Sequence, residues 1–208
     1  FAALELGLPY LNFTPSLGAS FPAGVELADQ RSAILAGQDG KTGETLLKSV
    51  LGPMFALRNL EVLSWVGHNI FGNRDGLVLN DPQHKAAKVR TKDQLLPPIL
   101  GYRPHTHVSI EYVPSLDDWK TAWDHIHFAG FLGTKMTLQF TWQGCDSLLA
   151  APLVIDVARL MLLAQRRGYR GILTPLACFF KNPLGVQEHD FFKQWRLLED
   201  WVASLERG

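Results

Sequence analysis

The sequence predicts an α/β fold, and three observations lead to that prediction. Segments whose apolar residues recur every three or four positions alternate with short segments typical of strands. Glycine, proline and asparagine separate these segments. The chain has 208 residues, 47% hydrophobic and 19% charged, which is enough to bury a core as one large domain or two small ones.

The first elements are short and buried. A helix end, a turn that contains glycine and a strand around residues 10–13 open the chain. A helix over residues 23–32 and a strand in SAILAG follow, and then a helix over residues 43–59 and a strand over residues 60–67. The chain opens on Phe1 without a methionine, so we expect it to be the later portion of a longer protein.

The middle of the chain contains a long polar segment. Residues 68–104 are rich in glycine, asparagine, proline and charge, and predict a functional loop with a short helix at residues 85–93. After it, HVSIEYV and TKMTLQFTW predict strands, and WKTAWDHIHFAGFL between them predicts a helix. The last third predicts a long helix over residues 146–168, a buried strand in ILTPLACFF and a closing amphipathic helix.

Composition argues against several classes of protein. Lys plus Arg equals Asp plus Glu at 20 each, so no global field favours nucleic acid or an anionic membrane. We find no run of about 18 apolar residues and no charged signal-peptide region, and we expect a cytoplasmic protein. Cys145 and Cys178 lie in apolar segments without metal-ligand spacing, which predicts core residues in a reducing compartment.

The motif GQDGKTGET, residues 37–45, contains GKT but is not a P-loop. A P-loop has a glycine five residues before the glycine of GK, and Leu35 stands there. The segment opens a predicted helix whose first N–H groups suit an anion. An ordinary Asp or Thr N-cap explains the same residues, and the residues alone leave both readings open.

Two histidine pairs are more typical of structural residues than of a metal site. His105 and His107 are two apart on a predicted strand, and His125 and His127 repeat that spacing in a predicted helix, which would point them apart. A metal site needs a third ligand of matching geometry, and the spacing offers none.

Positive charge is concentrated in DPQHKAAKVRTK, residues 81–92, where Lys88 and Lys92 are four apart. Lys120 and Lys181 add two further ammonium groups, the second at the end of a strand so apolar that its charge must emerge at an edge or a cleft. Most lysines only face solvent, but clustered ammonium groups suit chemistry that creates oxyanions beside a phosphate. The residues alone leave open whether the four converge.

Seven blocks, in order along nearly the whole chain, resemble the myo-inositol-1-phosphate synthase family. The blocks are NFTPS (12–16), AGQDGKTGETLLKSVL (36–51), NIFGNRDG (69–76), KAAKVRTK (85–92), DDWKTAWD (117–124), CDSLLAAPLVIDVARL (145–160) and FFKNPL (179–184). The GN-x-DG and DSLLAAP blocks are specific to that family. Its members convert D-glucose 6-phosphate to 1L-myo-inositol 1-phosphate with a bound NAD that is reduced and reoxidised within one turnover.

The resemblance also implies an architecture. It predicts a Rossmann-like NAD-binding domain, partial in this chain, with an inserted α/β domain that bears an open mixed sheet. The later part of the Rossmann-like domain is expected over residues 1–38, the inserted catalytic and tetramerisation domain over 39–145, and the return to the Rossmann-like domain over 146–208. A homotetramer is the expected assembly.

Residue roles follow from the same resemblance. Lys88 and Lys181 are expected to transfer protons and stabilise the oxyanion at C5, whereas Lys92 and Lys120 are expected at the C1 oxygen and the phosphate; Asp118 accompanies Lys120. The residues expected to bind substrate are Thr42, Gly43, Asn69, Asn73 and Asp75. The residues expected to bind NAD are Asn12, Pro15, Asp39, Asp146 and Ser147. Whether a cation is also required is left open.

Two departures from the family pattern keep alternatives open. The N-terminal glycine-rich dinucleotide fingerprint and the first Rossmann strands are missing, so these residues alone do not hold the NAD pyrophosphate in the usual way. Arg74 stands where the eukaryotic pattern has a second asparagine. The alternatives are an NAD-dependent dehydrogenase of another sugar phosphate, which releases its ketone without ring closure, and a truncated, non-catalytic assembly module.

Overall fold

The computed structural model describes residues 1–78 and 95–206, and it confirms the predicted α/β class. In chain order the helices and strands are α1 (Ala2–Glu5), β1 (Tyr10–Asn12), α2 (Pro22–Gln30), β2 (Ile34–Gly37), α3 (Glu44–Leu57), β3 (Glu61–Phe71), α4 (Arg74–Val78), α5 (Leu96–Leu100), β4 (His105–Tyr112), β5 (Trp119–Ala129), β6 (Lys135–Cys145), α6 (Asp146–Arg166), β7 (Gly171–Ile172) and α7 (Phe191–Glu206).

The chain divides into two compact units. Unit 1 comprises Phe1–Lys41 and Ala150–Gly208, and unit 2 comprises Thr42–Leu149. The chain therefore leaves unit 1 just before α3 and returns to it near the start of α6. The predicted domain limits at residues 38 and 145 stay predictions.

Unit 1 is built on a parallel sheet in the order β1, β2, β7. All four residues of β2 are buried, as expected for a parallel strand that is covered on both faces. On one face Ile34 packs with Val157 and Met161 of α6 and with Trp201 of α7. On the other face Leu35 packs with a cluster that includes Ala28 of α2. The loops after β1 and β2 therefore leave the same end of the sheet.

Unit 2 is built on a mixed sheet in the order β4, β3, β5, β6, with β3 and β4 parallel and the other pairs antiparallel. The helix α3 covers one face. Its Phe55 is fully buried, and the ring packs edge-on against Trp65 at 6.3 Å and Phe128 at 5.1 Å between centroids. The other face, which we call the outer face, carries exposed side chains such as His105 and His125.

The segment WKTAWDHIHFAGFL was expected to be a helix, and that expectation was wrong. Residues Trp119–Ala129 form β5, with the alternate residues Ala122, Asp124 and Ile126 on the covered face. The aromatic side chains on the outer face hid this alternation, because they make both faces read as apolar. As a result His125 and His127 point to the same face instead of apart.

Two other boundaries differ from the sequence prediction. The strand β3 continues to Phe71, so Asn69 lies in a buried strand and not in a loop. In ILTPLACFF only Ile172 belongs to β7, and Thr174–Phe179 form a 3-10 helix. Pro175 explains this break because proline has no N–H to continue a ladder. The short helix expected at residues 85–93 lies outside the described residues.

The helix α6 corrects the expectation about apolar runs. Within the described part of the chain it is the one helix that is long and apolar enough to cross a membrane, with a mean hydropathy of 1.9. Length and composition alone are weak evidence for a membrane span, because core helices pass the same test. Asp156 and Arg159 interrupt its apolar sequence, which is why it did not read as a span.

Candidate functional site

In unit 2 the structure pairs two of the predicted site residues. The Nζ atom of Lys120 on β5 lies 3.3 Å from Oδ2 of Asp146, and the two side chains are 16% and 32% exposed. The ammonium also lies 5.7 Å from the centroid of the Phe71 ring. Asp146 is the first residue of α6, where the helix dipole favours a carboxylate. The pair therefore fixes a cation at the end of the sheet.

Asp118 lies two residues from Lys120, and its carboxyl group accepts hydrogen bonds from three other side chains. A hydrogen bond from the side chain of Ser147 lowers the pKa of this carboxyl, against a smaller opposing effect of burial, and bonds from Cys145 and Asn73 lower it further. The Cys145 sulfur lies 3.4 Å from Oδ2 of Asp118. Cys145 is therefore not the core residue that the sequence predicted, whereas Cys178 is buried as expected.

The motif GNRDG is shaped by backbone packing. A Cβ atom on Gly72 would lie 2.5 Å from the backbone N of Asp117 and 2.6 Å from the carbonyl O of Val113, so only glycine fits there. Asn73 follows, and its Oδ1 accepts a hydrogen bond from the N–H of Gly76 at 3.1 Å. Because Gly72 allows this close approach, Asn73 is brought to Asp118.

The start of α3 is formed by Gly43, its N-cap residue. Over residues 1–78 and 95–206 it has no side-chain cap hydrogen bond, so the ordinary Asp or Thr cap is wrong for this helix. Thr42 is half-buried beside it. The first-turn N–H groups of this 14-residue helix can therefore serve an anion.

Strand register places further predicted residues in adjacent rows on the covered face. One row pairs Asn69 with Ala122 and Ala122 with Trp142. The next row pairs Phe71 with Lys120 and Lys120 with Gly144. Asn69 is fully buried and its Nδ2 lies 3.4 Å from the carbonyl O of Ser109.

A buried polar network lies under the first turn of α3. Lys48 Nζ is 3.0 Å from Glu44 Oε1, and both side chains are 1% exposed. Trp65 donates its indole N–H to Asp124 Oδ1 at 2.6 Å. Both carboxylates face Gly67, where an added Cβ atom would lie 3.0 Å from Glu44 Oε1 and 3.3 Å from Asp124 Oδ1. This network fixes the start of α3 against the sheet.

Unit 1 holds the second predicted pair. Lys181 Nζ lies 2.9 Å from Asp39 Oδ1, and the side chains are 14% and 6% exposed. Asp39 has a left-handed φ of 62°, a conformation that few residues other than glycine adopt. Its N–H donates to the Thr14 carbonyl at 3.1 Å, and its own carbonyl accepts the N–H of Lys181 at 2.7 Å. The backbone thus holds both members of the pair.

Asn12 and Pro15, predicted to bind NAD, lie at or after the carboxyl end of β1. Asn12 donates to the carbonyl of Ser16 at 2.7 Å and accepts from the N–H and hydroxyl of Thr14 at 3.1 and 2.9 Å. The carbonyl of Pro15 accepts the side-chain amide of Gln38 at 3.0 Å. The side chain of Asn12 thus shapes the NFTPS loop beside Asp39.

Lys41 is a buried residue that the sequence reasoning missed. It is 2% exposed, its Nζ donates to Gln194 Oε1 at 2.6 Å, and it lies 5.7 Å from the Phe191 ring centroid. Burial lowers its pKa to about 8, against an opposing effect of Cys178, whose own pKa burial raises to about 11. The GKT motif contained this lysine, but nothing in a single sequence tells a buried lysine from an exposed one.

Asp75 is exposed on α4, and so is Arg74 beside it. Lys88 and Lys92 lie outside the described residues. Over residues 1–78 and 95–206, no group of three or more His, Cys, Asp or Glu side chains could hold a metal ion.

Comparison with known proteins identifies the family. The sequence profile of the family described as myo-inositol-1-phosphate synthase matches residues 43–147. The inositol-3-phosphate synthase 1 of Bacteroides thetaiotaomicron is 36% identical over 99% of this chain and 51% of its own length. The rat enzyme of the same name is 33% identical over 88% of this chain and 36% of its own length. The chain thus spans about half of the length of the first relative and about a third of the second.

Solved structures of proteins from the same family have the same fold as this chain. The crystal structure of inositol-3-phosphate synthase from Caenorhabditis elegans matches with a TM-score of 0.90 and 29% identity, over 98% of this chain and 44% of that chain. A myo-inositol-1-phosphate synthase-related protein from Thermotoga maritima matches with a TM-score of 0.85 and 30% identity, over 94% of this chain and 52% of that chain. Because the profile matches residues 43–147, and sequence and fold agree with relatives over nearly the full length, this chain belongs to the myo-inositol-1-phosphate synthase family.

Proposed function

We propose that the full-length gene product carrying this chain converts D-glucose 6-phosphate to 1L-myo-inositol 1-phosphate, with NAD as an internal oxidant. The observation that carries the proposal is the pairing of Lys120 with Asp146 and of Lys181 with Asp39. In each unit a predicted catalytic lysine is mostly buried and held by a carboxylate, as a fixed cation requires.

The residues of unit 1 fit part of a dinucleotide site. The Oδ2 atom of Asp39 is buried and has no hydrogen-bond partner among the described residues, which suits a hydroxyl or amide donor of a ligand. It lies after β2, at the carboxyl end of a parallel sheet, where dinucleotides bind in such folds. No G-x-G-x-x-G pattern occurs among the 208 residues, so this chain supplies only part of the site. When bound, NAD supplies an acceptor for hydride from C5 of the sugar and returns it to C5.

Each remaining step places negative charge on an oxygen of the substrate. Proton loss from C6 of the C5 ketone gives an enolate, and attack of C6 on the C1 aldehyde gives an alkoxide. We assign Lys181 to proton transfer and to the oxygen at C5, where Asp39 keeps the ammonium oriented. Lys120 we assign to the C1 oxygen and the phosphate, beside the uncapped start of α3. Lys88 and Lys92 are the other two predicted lysines. We assign Lys88 the same role as Lys181, and Lys92 the same role as Lys120.

The experiment is phosphorus NMR of D-glucose 6-phosphate with NAD and the full-length protein. We expect the resonance of inositol 1-phosphate to grow without net formation of NADH. An oxidised sugar phosphate with stoichiometric NADH would show instead the dehydrogenase alternative. Unchanged substrate with folded protein would contradict the synthase. NAD binding would then favour a dehydrogenase of another sugar phosphate, and its absence would favour the assembly module.

We also propose the homotetramer that the resemblance implies. What supports it is the outer face of the unit 2 sheet, where Trp119 is 56% and Trp123 is 42% exposed. Light scattering of the full-length protein tests this. A mass of four chains is expected, and a monomer at micromolar concentration would contradict it.

A further inference from the structure

Histidines are concentrated on the outer face of the unit 2 sheet. Five of the seven histidines of the chain belong to its strands and point to this face: His68 on β3, His105 and His107 on β4, and His125 and His127 on β5. Four of them are exposed and His127 is half-buried. The two histidine pairs of the sequence therefore lie on the same surface, together with a fifth imidazole.

The strand register places these histidines in three adjacent rows. From β4 through β3 to β5, the rows are His105, Ser64 and His127; then His107, Val66 and His125; then Ser109, His68 and Trp123. Neighbouring strands lie about 4.8 Å apart, and residues two apart on a strand are separated by about 6.7 Å. Each histidine thus lies within about 10 Å of another, a distance over which like charges repel at physiological salt.

The exposed carboxylates of the strands lie at the two ends of this face. Glu61 is the first residue of β3, with Lys135 of β6 in the same row, and Glu111 lies near the end of β4. In the three histidine rows β6 contributes only neutral side chains, those of Thr137, Gln139 and Thr141. The His68 ring stacks on Trp123 at 5.9 Å between centroids, and its Nδ1 shares a hydrogen bond with Ser109 Oγ. Within the described strands, the histidine rows therefore contain no acidic side chain.

The size and composition of the outer face fit a second copy of this chain. Four strands of up to 11 residues cover roughly 35 by 19 Å, or about 650 Å² of flat area. This is close to the area of about 800 Å² that each partner buries in a standard interface. Exposed aromatic rings and few charges are typical of an interface core. A two-fold axis pairs the same surface of both copies, so such a face needs no partner of opposite charge.

We propose that the outer face pairs with the same face of a second copy, and that protonation of its histidines separates the two copies. This inference rests on the proposed homotetramer. Histidine is the side chain whose charge ordinarily changes between pH 5 and pH 8. A closed interface excludes water and brings the imidazoles of both copies together, so protons bind better to the separated faces. Acid therefore shifts the equilibrium towards separation.

The first test is the mass of the wild-type full-length protein by light scattering at pH 7.5 and pH 5.5, at equal ionic strength. We expect four chains at pH 7.5 and two or fewer at pH 5.5. One histidine that must stay neutral in the interface weakens pairing about 10-fold at one pH unit below its ordinary pKa. The same histidine in both copies makes this about 100-fold.

The wild-type measurement separates the inference from the proposal beneath it. The logarithm of the dissociation constant, plotted against pH below about 6.5, should have a slope of at least two protons. Four chains at both pH values would overturn the inference and leave the homotetramer standing. A monomer at both pH values would overturn the homotetramer and the inference together, assign the face to another partner, and leave the cyclase unaffected.

Two variants assign the effect to the outer face. Glutamine at all four of the paired histidines (His105→Gln, His107→Gln, His125→Gln and His127→Gln) removes the protonation, so we expect four chains at both pH values. Arginine at two of them (His125→Arg with His127→Arg) fixes the charge, so we expect two chains or fewer already at pH 7.5. The matched control is Gln30→Arg at an exposed position of α2 in unit 1, which should keep four chains at pH 7.5.

Near-ultraviolet circular dichroism shows that each variant is folded. A folded glutamine variant that still separates at pH 5.5, or a folded arginine variant that keeps four chains at pH 7.5, would overturn the inference. Should a variant not fold, the wild-type slope alone decides, because a slope of zero would show that no proton is taken up on separation.

Discussion

The lysines of the two units differ in the partners of their ammonium groups. In unit 2 both Lys48 and Lys120 meet a carboxylate, at 3.0 and 3.3 Å. In unit 1 Lys181 meets Asp39 at 2.9 Å, but Lys41 meets only the amide oxygen of Gln194. An amide cannot neutralise an ammonium, so burial lowers the pKa of Lys41 to about 8. Burial of a lysine therefore does not by itself indicate its charge, because the partner of the ammonium group also matters.

The largest expected effect is on catalysis and falls on the paired, partly exposed lysines of both units. Lys181→Met and Lys120→Met should each lower turnover at least 100-fold, because removing one donor to a developing oxyanion costs about 10²–10³ in kcat. Product formation by phosphorus NMR and thermal unfolding are measured together. The matched controls are Lys193→Met in unit 1 and Lys135→Met in unit 2, both at exposed lysines that should leave turnover unchanged. Near-normal turnover in either Lys181→Met or Lys120→Met would remove that lysine from the mechanism.

The next effect is on stability: replacing the two fully buried lysines, Lys48 and Lys41, should change the unfolding free energy in opposite directions. Lys48→Met removes the cation that faces Glu44, and breaking a buried pair costs about 3 to 5 kcal/mol of unfolding free energy. Lys41→Met removes a buried charge whose lowered pKa corresponds to a penalty of roughly 3 kcal/mol, while losing one hydrogen bond to Gln194. We therefore expect Lys41→Met to raise the unfolding free energy at pH 7 by about 1 kcal/mol.

Denaturant unfolding of both variants measures this contrast. A loss of several kcal/mol in Lys41→Met would mean that its charge is compensated after all. The difference that we draw between Lys41, with its amide partner, and Lys48, with its carboxylate partner, would then be wrong.

A smaller effect is the pH dependence of stability in unit 1. The folded pKa of Lys41 is below its ordinary value of 10.5, so the unfolded chain binds more protons between pH 8 and pH 10.5 and stability rises with pH there. The raised pKa of Cys178, about 11 against an ordinary 9.0, acts in the opposite direction between pH 9 and pH 11. The net gain from pH 7 to pH 9 should be about 1 kcal/mol.

Urea unfolding at several pH values measures this gain. The rise should be absent in Lys41→Met. In Cys178→Ala it should instead continue further above pH 9. A wild-type profile that falls from pH 7 to pH 9 would contradict the assignment of the lowered pKa to Lys41.

The smallest effect concerns Asp118 in unit 2. A hydrogen bond from Ser147 is the largest cause of its lowered pKa, so Ser147→Ala should raise that pKa towards the ordinary value of 3.8. The stabilisation linked to this carboxylate is present above pH 3.8 and is lost as the pH falls through the lower folded pKa. Carbon NMR of the Asp118 carboxyl measures both values, and an unchanged pKa in Ser147→Ala would show that another group holds the carboxylate.

The sequence predicted the fold class and most helices because periodicity is a local property. The predicted helices at 23–32, 43–59 and 146–168 correspond to α2, α3 and α6 within a few residues. The prediction from the sequence failed for β5. There Trp119, Trp123 and the histidines cover the outer face and hide the alternation of apolar and polar residues. The break in ILTPLACFF was signalled by Pro175 and was overlooked.

The candidate site was predicted through motifs more than through physical reasoning. Resemblance pointed to Lys120, Asp146 and Asp118, and the structure brings these together in unit 2. No local pattern could show that Trp142 faces Gly43, because that contact depends on the register of β6 and the position of α3. Burial of Lys41 was equally invisible, because its partner Gln194 lies 153 residues away.

The most direct test of the proposed cyclase uses glucose 6-phosphate that carries deuterium at C5, with the full-length protein and NAD. If one active site removes hydride from C5 and returns it after ring closure, the deuterium is retained on the ring carbon of the inositol phosphate that derives from C5 of the sugar, and no NADH accumulates. Mass spectrometry and deuterium NMR of the product report this directly. Deuterium found in free NADH, or a released ketone, would contradict the account and show a dehydrogenase that does not close the ring.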